Sequence, residues 1–280
     1  MTPLFCLEED ALDPWSAFIF NREGICYLSG ETEARFGRSG GMGSVYAFVD
    51  TLKDCPAGHL FNPWFEQDHE HDATKEAPEI RRQQLETYLT ERAGARVLLI
   101  AEALGYQGGH FTGIAMTSER ILLGHQEESY GVRPDHVFRN QQPVRTSKPS
   151  VRGKGMSEPT ATIVWGAMIE LGLDPFDIVL WNALPWHPYN PTRGLLSNRT
   201  PTREEMDAGR ERLPNFMRLF PDAVPVAVGR KCELLLSELS IPHKAVRHPA
   251  NGGAPAFRSQ LAAWVEKLPN EGIPHHPDST

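Results

Sequence analysis

The sequence predicts an α/β protein with three αβα layers around a central, mostly parallel four-stranded sheet. Four short apolar runs, each too short for a helix and rich in Val, Ile or Leu, read as buried strands. Helical patterns lie between them, and strands alternating with helices build a parallel sheet covered on its faces. Polar or glycine residues stand at the strand ends: Glu102, Asn182, Gly229 and His248. In such sheets ligands bind beyond the carboxyl ends of the strands, so chemistry is expected there.

The elements follow in order. Residues 1–75 are irregular and rich in Pro and Gly, and are expected to pack on the core as an extension. The α/β domain spans 76–268. Its first helix covers 78–93 and carries Pro78 in the first turn. The first strand is "RVLLIA", 96–101. A helix over 159–172 ends at Gly172 and leads to the strand "DIVLWN", 177–182. The helix 202–220 opens with Thr202 and Glu205 in capping-box spacing, and Pro214 is expected to kink or divide it. The strands "VPVAV", 224–228, and "HKAVR", 243–247, alternate with helices over 230–239 and 254–267. Residues 269–280 read as a loose tail, and no internal repeat is present.

Composition narrows the function. At 280 residues, 40% hydrophobic and 23% charged, the chain has the make-up of a globular protein. No apolar run reaches the roughly 18 residues of a membrane helix. The start, "MTPLFCLEED", has no basic n-region, so a cytoplasmic protein is expected rather than a secreted one. A monomer is expected. Cys6, Cys26, Cys55 and Cys232 form no CxxC, which argues for free thiols and against a zinc ribbon or an iron–sulfur cluster. No cofactor and no metal are expected. His69 and His71 in "DHEHD", 68–72, read as solvated charge on a surface loop. The net charge of −8 opposes indiscriminate nucleic-acid binding. Residues 132–154 run against it, with Arg133, Arg139, Arg145, Lys148, Arg152 and Lys154 against Asp135. This stretch reads as a basic surface excursion suited to phosphates.

Three motifs sit at strand ends. In "VLLIAEALGYQGGHFTGIAMTSERILLG", 97–124, a strand passes into a loop with Gly105, Gly108, Gly109 and Gly113. Such glycines let backbone approach a ligand closely, and a helix starting near Thr117 or Ser118 would offer N–H groups. The loop lacks the GxxxxGK[ST] of a P-loop. In "VLWNALPWHPYNPTRGLLSNRTPTREE" a strand leads through Asn182 into a polar, proline-rich excursion. The Asn amide can donate and accept together, which suits a pyrimidine edge. In "AVRHPANGGAPAFRSQL" His248 leaves a strand before Gly252 and Gly253.

Taken in order, these motifs resemble those of the uracil-DNA glycosylase superfamily, from about Arg96 to Leu268. "EALG", 102–105, is similar to the family's GEAPG, and "GIAMTS", 113–118, to its GLAFS. Asn182 matches the recognition Asn, "NRTPTREE", 198–205, resembles a motif of the iron–sulfur branch, and "HPA", 248–250, matches the last motif. The departures are specific. The cluster cysteines are absent, Ala103 stands where one branch has the water-positioning Asp, Leu104 replaces Pro, and Met116 replaces the stacking Phe.

The resemblance implies hydrolysis of the N-glycosidic bond of deoxyuridine in DNA, releasing uracil in base-excision repair after the base leaves the stack. Asn182 would bind uracil O4 and N3–H, and His248 would donate to O2 as charge gathers on the leaving base. Glu102 is the expected water-orienting group. Met116, Phe111 or Tyr106 would cover the base, with Gln107 beside them. Arg139, Arg145, Lys148, Asn251 and Arg258 are expected to contact DNA. Two alternatives stay open: a glycosylase for hypoxanthine or xanthine, and a damaged-DNA binder without hydrolysis.

Overall fold

The computed structural model describes residues 42–265. The first part of the expected N-terminal extension and the tail at 269–280 lie outside the described residues. The described chain opens with helix α1 (Met42–Thr51), a segment whose composition reads as irregular. Its Val45, Phe48, Val49 and Leu52 recur at helical spacing and are buried, and this periodicity outweighs the surrounding glycines. Then follow strand β1 (Leu60–Phe61) and helix α2 (Ala77–Thr90), with Pro78 in its first turn.

The core alternates as the apolar runs predict. Strand β2 (Val97–Ala103) leads through the short helices α3 (Gly109–Thr112), α4 (Glu119–Leu122) and α5 (Glu127–Tyr130) to α6 (Pro159–Glu170). Strands β3 (Ile178–Leu184) and β4 (His187–Pro188) precede α7 (Arg203–Met217). Strand β5 (Val224–Val228), α8 (Arg230–Glu238), β6 (Lys244–Val246) and α9 (Ala254–Val265) complete the described chain. The four-stranded sheet has the order β3-β2-β5-β6 with every pair parallel. β1 and β4 pair separately and antiparallel, with Phe61 opposite His187. No helix among the described residues is long and apolar enough to cross a membrane.

The Thr202 hydroxyl accepts from the N–H of Glu205, and the Glu205 carboxylate accepts from the N–H of Thr202 at 2.8 Å, so α7 has the capping box its sequence implies. Pro214 lies inside α7 without dividing it. β3 is an edge strand, and its outer side is covered rather than exposed. The N–H of Leu180 donates to Tyr88 Oη at 2.9 Å. The buried Arg92 guanidinium donates to the carbonyls of Pro175, Ile178, Val137 and His136 and lies 3.9 Å from the Tyr88 ring centre. On one face of β3, Trp181 stacks on Phe216 at 4.3 Å and meets Phe48 edge-on at 5.6 Å. Side chains alternate along a strand, so the neighbouring Asn182 points to the other face.

The basic excursion is tied to the core by one buried carboxylate. Glu119 accepts from the backbone N–H groups of Thr146, Ser147 and Met156, at 3.0, 2.9 and 3.0 Å, and from the Ser147 hydroxyl. Arg145 donates to the carbonyls of Ser147, Lys148, Arg152 and Gly153 and so folds the loop on itself. Removing the carboxylate strands several buried donors, each costing about 1–3 kcal/mol. Glu119→Ala is therefore expected to lower stability by roughly 3 kcal/mol or more. It should also open the 144–156 segment to trypsin at Arg145, Lys148 and Arg152 before global unfolding, read by limited proteolysis alongside denaturant titration.

Candidate active site

The carboxyl ends of β2, β3 and β6 meet at a cleft of about 260 Å³. β2 contributes Ala101 to Ala103 and then Leu104 and Gly105, β3 contributes Asn182, and the turn after β6 contributes His248 and Ala250. Met116, Asn198 and Glu158 close the walls. The parallel register sets Ala101 opposite Asn182, so a methyl side chain stands where a larger one would crowd the amide. β3 runs two residues beyond Asn182, which is therefore inside the strand and 2% exposed. Its Oδ1 is buried and has no hydrogen-bond partner.

His248 is half-buried, and its orientation is set locally. The N–H of Ala250 donates to His248 Nδ1 at 3.1 Å. The neutral ring then carries its proton on Nε2, which leaves a donor for a ligand. Burial is the main influence on the ring and lowers its pKa; the Glu102 charge opposes this and Arg247 adds to it. Gly229 holds φ +90°, and a Cβ there would come within 2.9 Å of the His248 Cβ, so the end of β5 must be glycine for the histidine turn to close over it.

Two carboxylates reach the cleft in different states. Glu102 is ion-paired with Lys231 Nζ at 2.7 Å. Glu158 sits at the N-cap of α6 without capping it, and its Oε2 is buried with no partner. Burial pushes its carboxyl up to about 7. A Cβ on Gly108 would fall 1.8 Å from that oxygen, so the glycine loop leaves the space that the carboxyl fills.

The other expected residues are dispersed. Met116 lines the cleft with φ +46° and takes the wall position expected of an aromatic. Phe111 is fully buried against His110, with ring centres 4.3 Å apart, and does not line the cleft. Tyr106 and Gln107 are half-buried on the glycine loop, outside the cleft lining. The Tyr106 N–H donates to Asn198 Oδ1 at 3.1 Å, which fastens that loop to the excursion after β4. Arg199 of the "NRTPTREE" motif pairs with Glu205 and bonds to the carbonyls of Tyr189 and His59, so this motif holds the excursion on α7. Asn251 is exposed beside the His248 turn, and Arg258 pairs with Glu170 at 2.9 Å. Arg139 lies over the Phe176 ring at 3.7 Å and pairs with Asp174. Lys148 donates to the carbonyls of His69 and Glu70.

Behind the glycine loop lies a buried network that sequence reading missed. The stretch 68–72 is solvated charge only in part: His69 and Glu70 are exposed, but Asp68 and Asp72 are 0% and 2% exposed. Asp72 pairs with the buried Arg81 at 2.6 Å, and Asp68 Oδ2 meets His110 Nε2 at 3.1 Å. His110 Nδ1 meets His187 Nδ1 at 3.0 Å, and His187 Nε2 donates to the Ser197 carbonyl at 2.8 Å. Burial lowers both imidazoles, His187 to about 3. Two neutral rings carry two N–H groups, yet three contacts need a proton. The third belongs between His110 and Asp68, where burial opposes it and the carboxylate favours it. An Asn in place of Asp68 supplies that hydrogen from its own amide. Asp68→Ala should thus cost about 3–5 kcal/mol by breaking a buried polar pair, whereas Asp68→Asn should cost much less. Burial works against the Asp68 carboxylate, but its bonds to His110 and His71 hold it well below the ordinary range. It contributes stability above the unfolded value, about 3.9, and loses that contribution as pH falls toward the folded value. Thermal unfolding from pH 3 to 7 should show a smaller acid loss for Asp68→Asn than for wild type.

No protein-family model matches the chain, and no curated protein does. Among solved structures, the crystal structure of wild-type Pedobacter heparinus SMUG2 is similar, with a TM-score of 0.52 and 12% identity, covering 80% of this chain and 97% of that one. At that identity the likeness is one of fold, and it places this chain's parallel sheet and flanking helices in the architecture of SMUG2.

Proposed function

We propose that this protein is a DNA glycosylase that hydrolyses the N-glycosidic bond of deoxyuridine, releasing uracil and leaving an abasic site. The observation that carries the reading is the unpartnered Asn182 Oδ1 in the same cleft as His248. An unpaired buried acceptor costs about 1–3 kcal/mol, and a ligand N–H removes that cost. Uracil offers N3–H to the Asn182 oxygen and O4 to its amide. Cytosine reverses both groups, so two contacts fail together. The family resemblance of the strand-end motifs and the fold shared with SMUG2 support the same reading.

Breaking the bond leaves positive charge on the sugar and negative charge on the base. His248, with Nε2–H free, donates to the base oxygen where that negative charge gathers, an interaction stronger in the transition state than before it. Glu102, held by Lys231 at the end of β2, faces the positive charge on the sugar. Met116 covers the base with a polarizable thioether. Asn251, exposed beside the His248 turn, contacts the DNA backbone.

The test is release of free base from a uracil-containing oligonucleotide, single- and double-stranded, under single-turnover conditions. Wild type is expected to release uracil and to spare cytosine. Asn182→Asp turns the donor to O4 into an acceptor and should lose most of that activity while its unfolding curve stays close to wild type. Uracil release unchanged in a folded Asn182→Asp protein would remove the assignment. His248→Ala should lower the cleavage rate of bound DNA by about 10²–10³, with a smaller change in DNA affinity. A loss confined to affinity would make His248 a binding residue only.

A further inference from the structure

The cleft contains two buried acceptor oxygens without partners, Asn182 Oδ1 and Glu158 Oε2. A uracil edge satisfies the first. Uracil joined to its sugar has no second ring N–H, so the other acceptor calls for a different donor. The O–H of a water molecule is the donor that hydrolysis itself requires. Resting on the glycosylase reading above, we propose that Glu158 is a catalytic residue that binds the attacking water and takes its proton.

The geometry around Glu158 is that of a reactive group rather than a structural one. A carboxylate at a helix start can be stabilised by the unpaired N–H groups and the dipole of that helix. Glu158 makes no side-chain bond to them; only its backbone carbonyl serves α6, accepting from the N–H of Thr162 at 3.1 Å. Its side chain lies over the glycine loop instead, with Oε1 3.8 Å from the Cβ position of Gly105 and Oε2 in the space kept open at Gly108. A carboxylate held this way stands free of competing donors until water enters.

The charged groups facing it leave it in that state. Glu102 shares the cleft but is paired with Lys231, and the Arg199 guanidinium is paired with Glu205. His248 keeps its Nδ1 on the Ala250 N–H. α4 is bonded to Met156 and brings Glu119, which is engaged with backbone N–H groups, and Arg120. Behind the glycine loop, Asp68, His110 and His187 bond to one another. Burial is the cause of the raised proton affinity of Glu158, up to about 7. Such a carboxyl is a stronger base than an exposed one and still largely ionised at slightly alkaline pH.

The water oxygen bonds to C1′ as the C1′–N1 bond breaks, and the bonding pair leaves with uracil as its anion. One water proton passes to the Glu158 carboxylate, and the other stays on the new C1′ hydroxyl. His248 Nε2–H holds the uracil anion until it takes a proton from solvent, and Glu158 returns its own proton to solvent.

Wild type and Glu158→Gln are compared for single-turnover uracil release between pH 5.5 and 9, for DNA affinity and for thermal unfolding. The wild-type rate is expected to rise with pH to a plateau above about 7, the form of a base that must be ionised. Glu158→Gln should lose about 10²–10⁴ in rate, bind DNA as wild type does, and lose the rise near neutrality. Its Tm at pH 8 should equal or exceed that of wild type, because a buried unpaired carboxylate has been removed. A structural Glu158 would lower Tm and leave the pH profile in place, and that pattern overturns the proposal. So does a rate within a few-fold of wild type. A wild-type profile flat from pH 6 to 8 overturns it even if the variant fails to fold. Wild type that releases no base removes the glycosylase reading and this assignment with it, whereas an active wild type with an active Glu158→Gln removes the assignment alone.

Discussion

Ala101 lies opposite Asn182 across the β2–β3 ladder, and the cleft depends on that register. A shift by one residue would turn the amide into the face where Trp181 stacks on Phe216 and would bring the indole into the cleft. The edge that could permit such a shift is locked from outside. Tyr88 Oη accepts from the Leu180 N–H, and Arg92 donates to the carbonyl of Ile178. Arg92 also holds the turn before β3 through Pro175 and the 136–137 carbonyls. A buried cation with that many acceptors fixes strand position as firmly as the apolar packing does. The recognition group proposed for the cleft is thus positioned by residues that never reach it.

With the register set, the cleft separates two carboxylates by their surroundings. Glu102 has a cation on it and Glu158 has none. Surroundings that differ in this way fit the roles proposed for them, charge stabilisation at Glu102 and proton transfer at Glu158. The same division accounts for Ala103. A water-positioning acid at that point of the glycine loop is dispensable if a carboxylate enters from the start of α6, over the hollow left by Gly108. Of the buried side-chain oxygens without a partner among the described residues, Asn182 Oδ1 and Glu158 Oε2 line this cleft and Ser118 Oγ does not; each is a cost to the fold until a donor arrives.

Much of the fold was legible in the sequence because its signals are local. The four apolar runs became the four parallel strands, and Thr202 with Glu205 capped α7. The exceptions arise where a signal is short or a partner is distant. α1 shows its period over only ten residues amid glycines. Asp68, His110 and His187 are separated by 42 and 77 residues along their bonds, so nothing in "DHEHD" discloses that its two aspartates are buried. Glu158 stands directly before Pro159 at a helix start, where a carboxylate suits the helix dipole; its side chain occupies the hollow over the glycine loop. Spacing alone also left the base-covering residue open among Met116, Phe111 and Tyr106. Both Phe111 and Met116 are buried, and of the three only Met116 lines the cleft. Asn182 and His248, placed by motif order, meet at one cleft because β2, β3 and β6 all end there.

The most direct measurement is a crystal structure of the protein with DNA carrying a non-cleavable 2′-fluoro-deoxyuridine. The account predicts the uracil turned out of the duplex into the cleft, with N3–H within hydrogen-bond distance of Asn182 Oδ1, O2 against His248 Nε2, and a water bound to Glu158 on the side of C1′ away from the base. A uracil bound elsewhere, or one seated in the cleft with Asn182 Oδ1 still unpartnered and no water at Glu158, would contradict it.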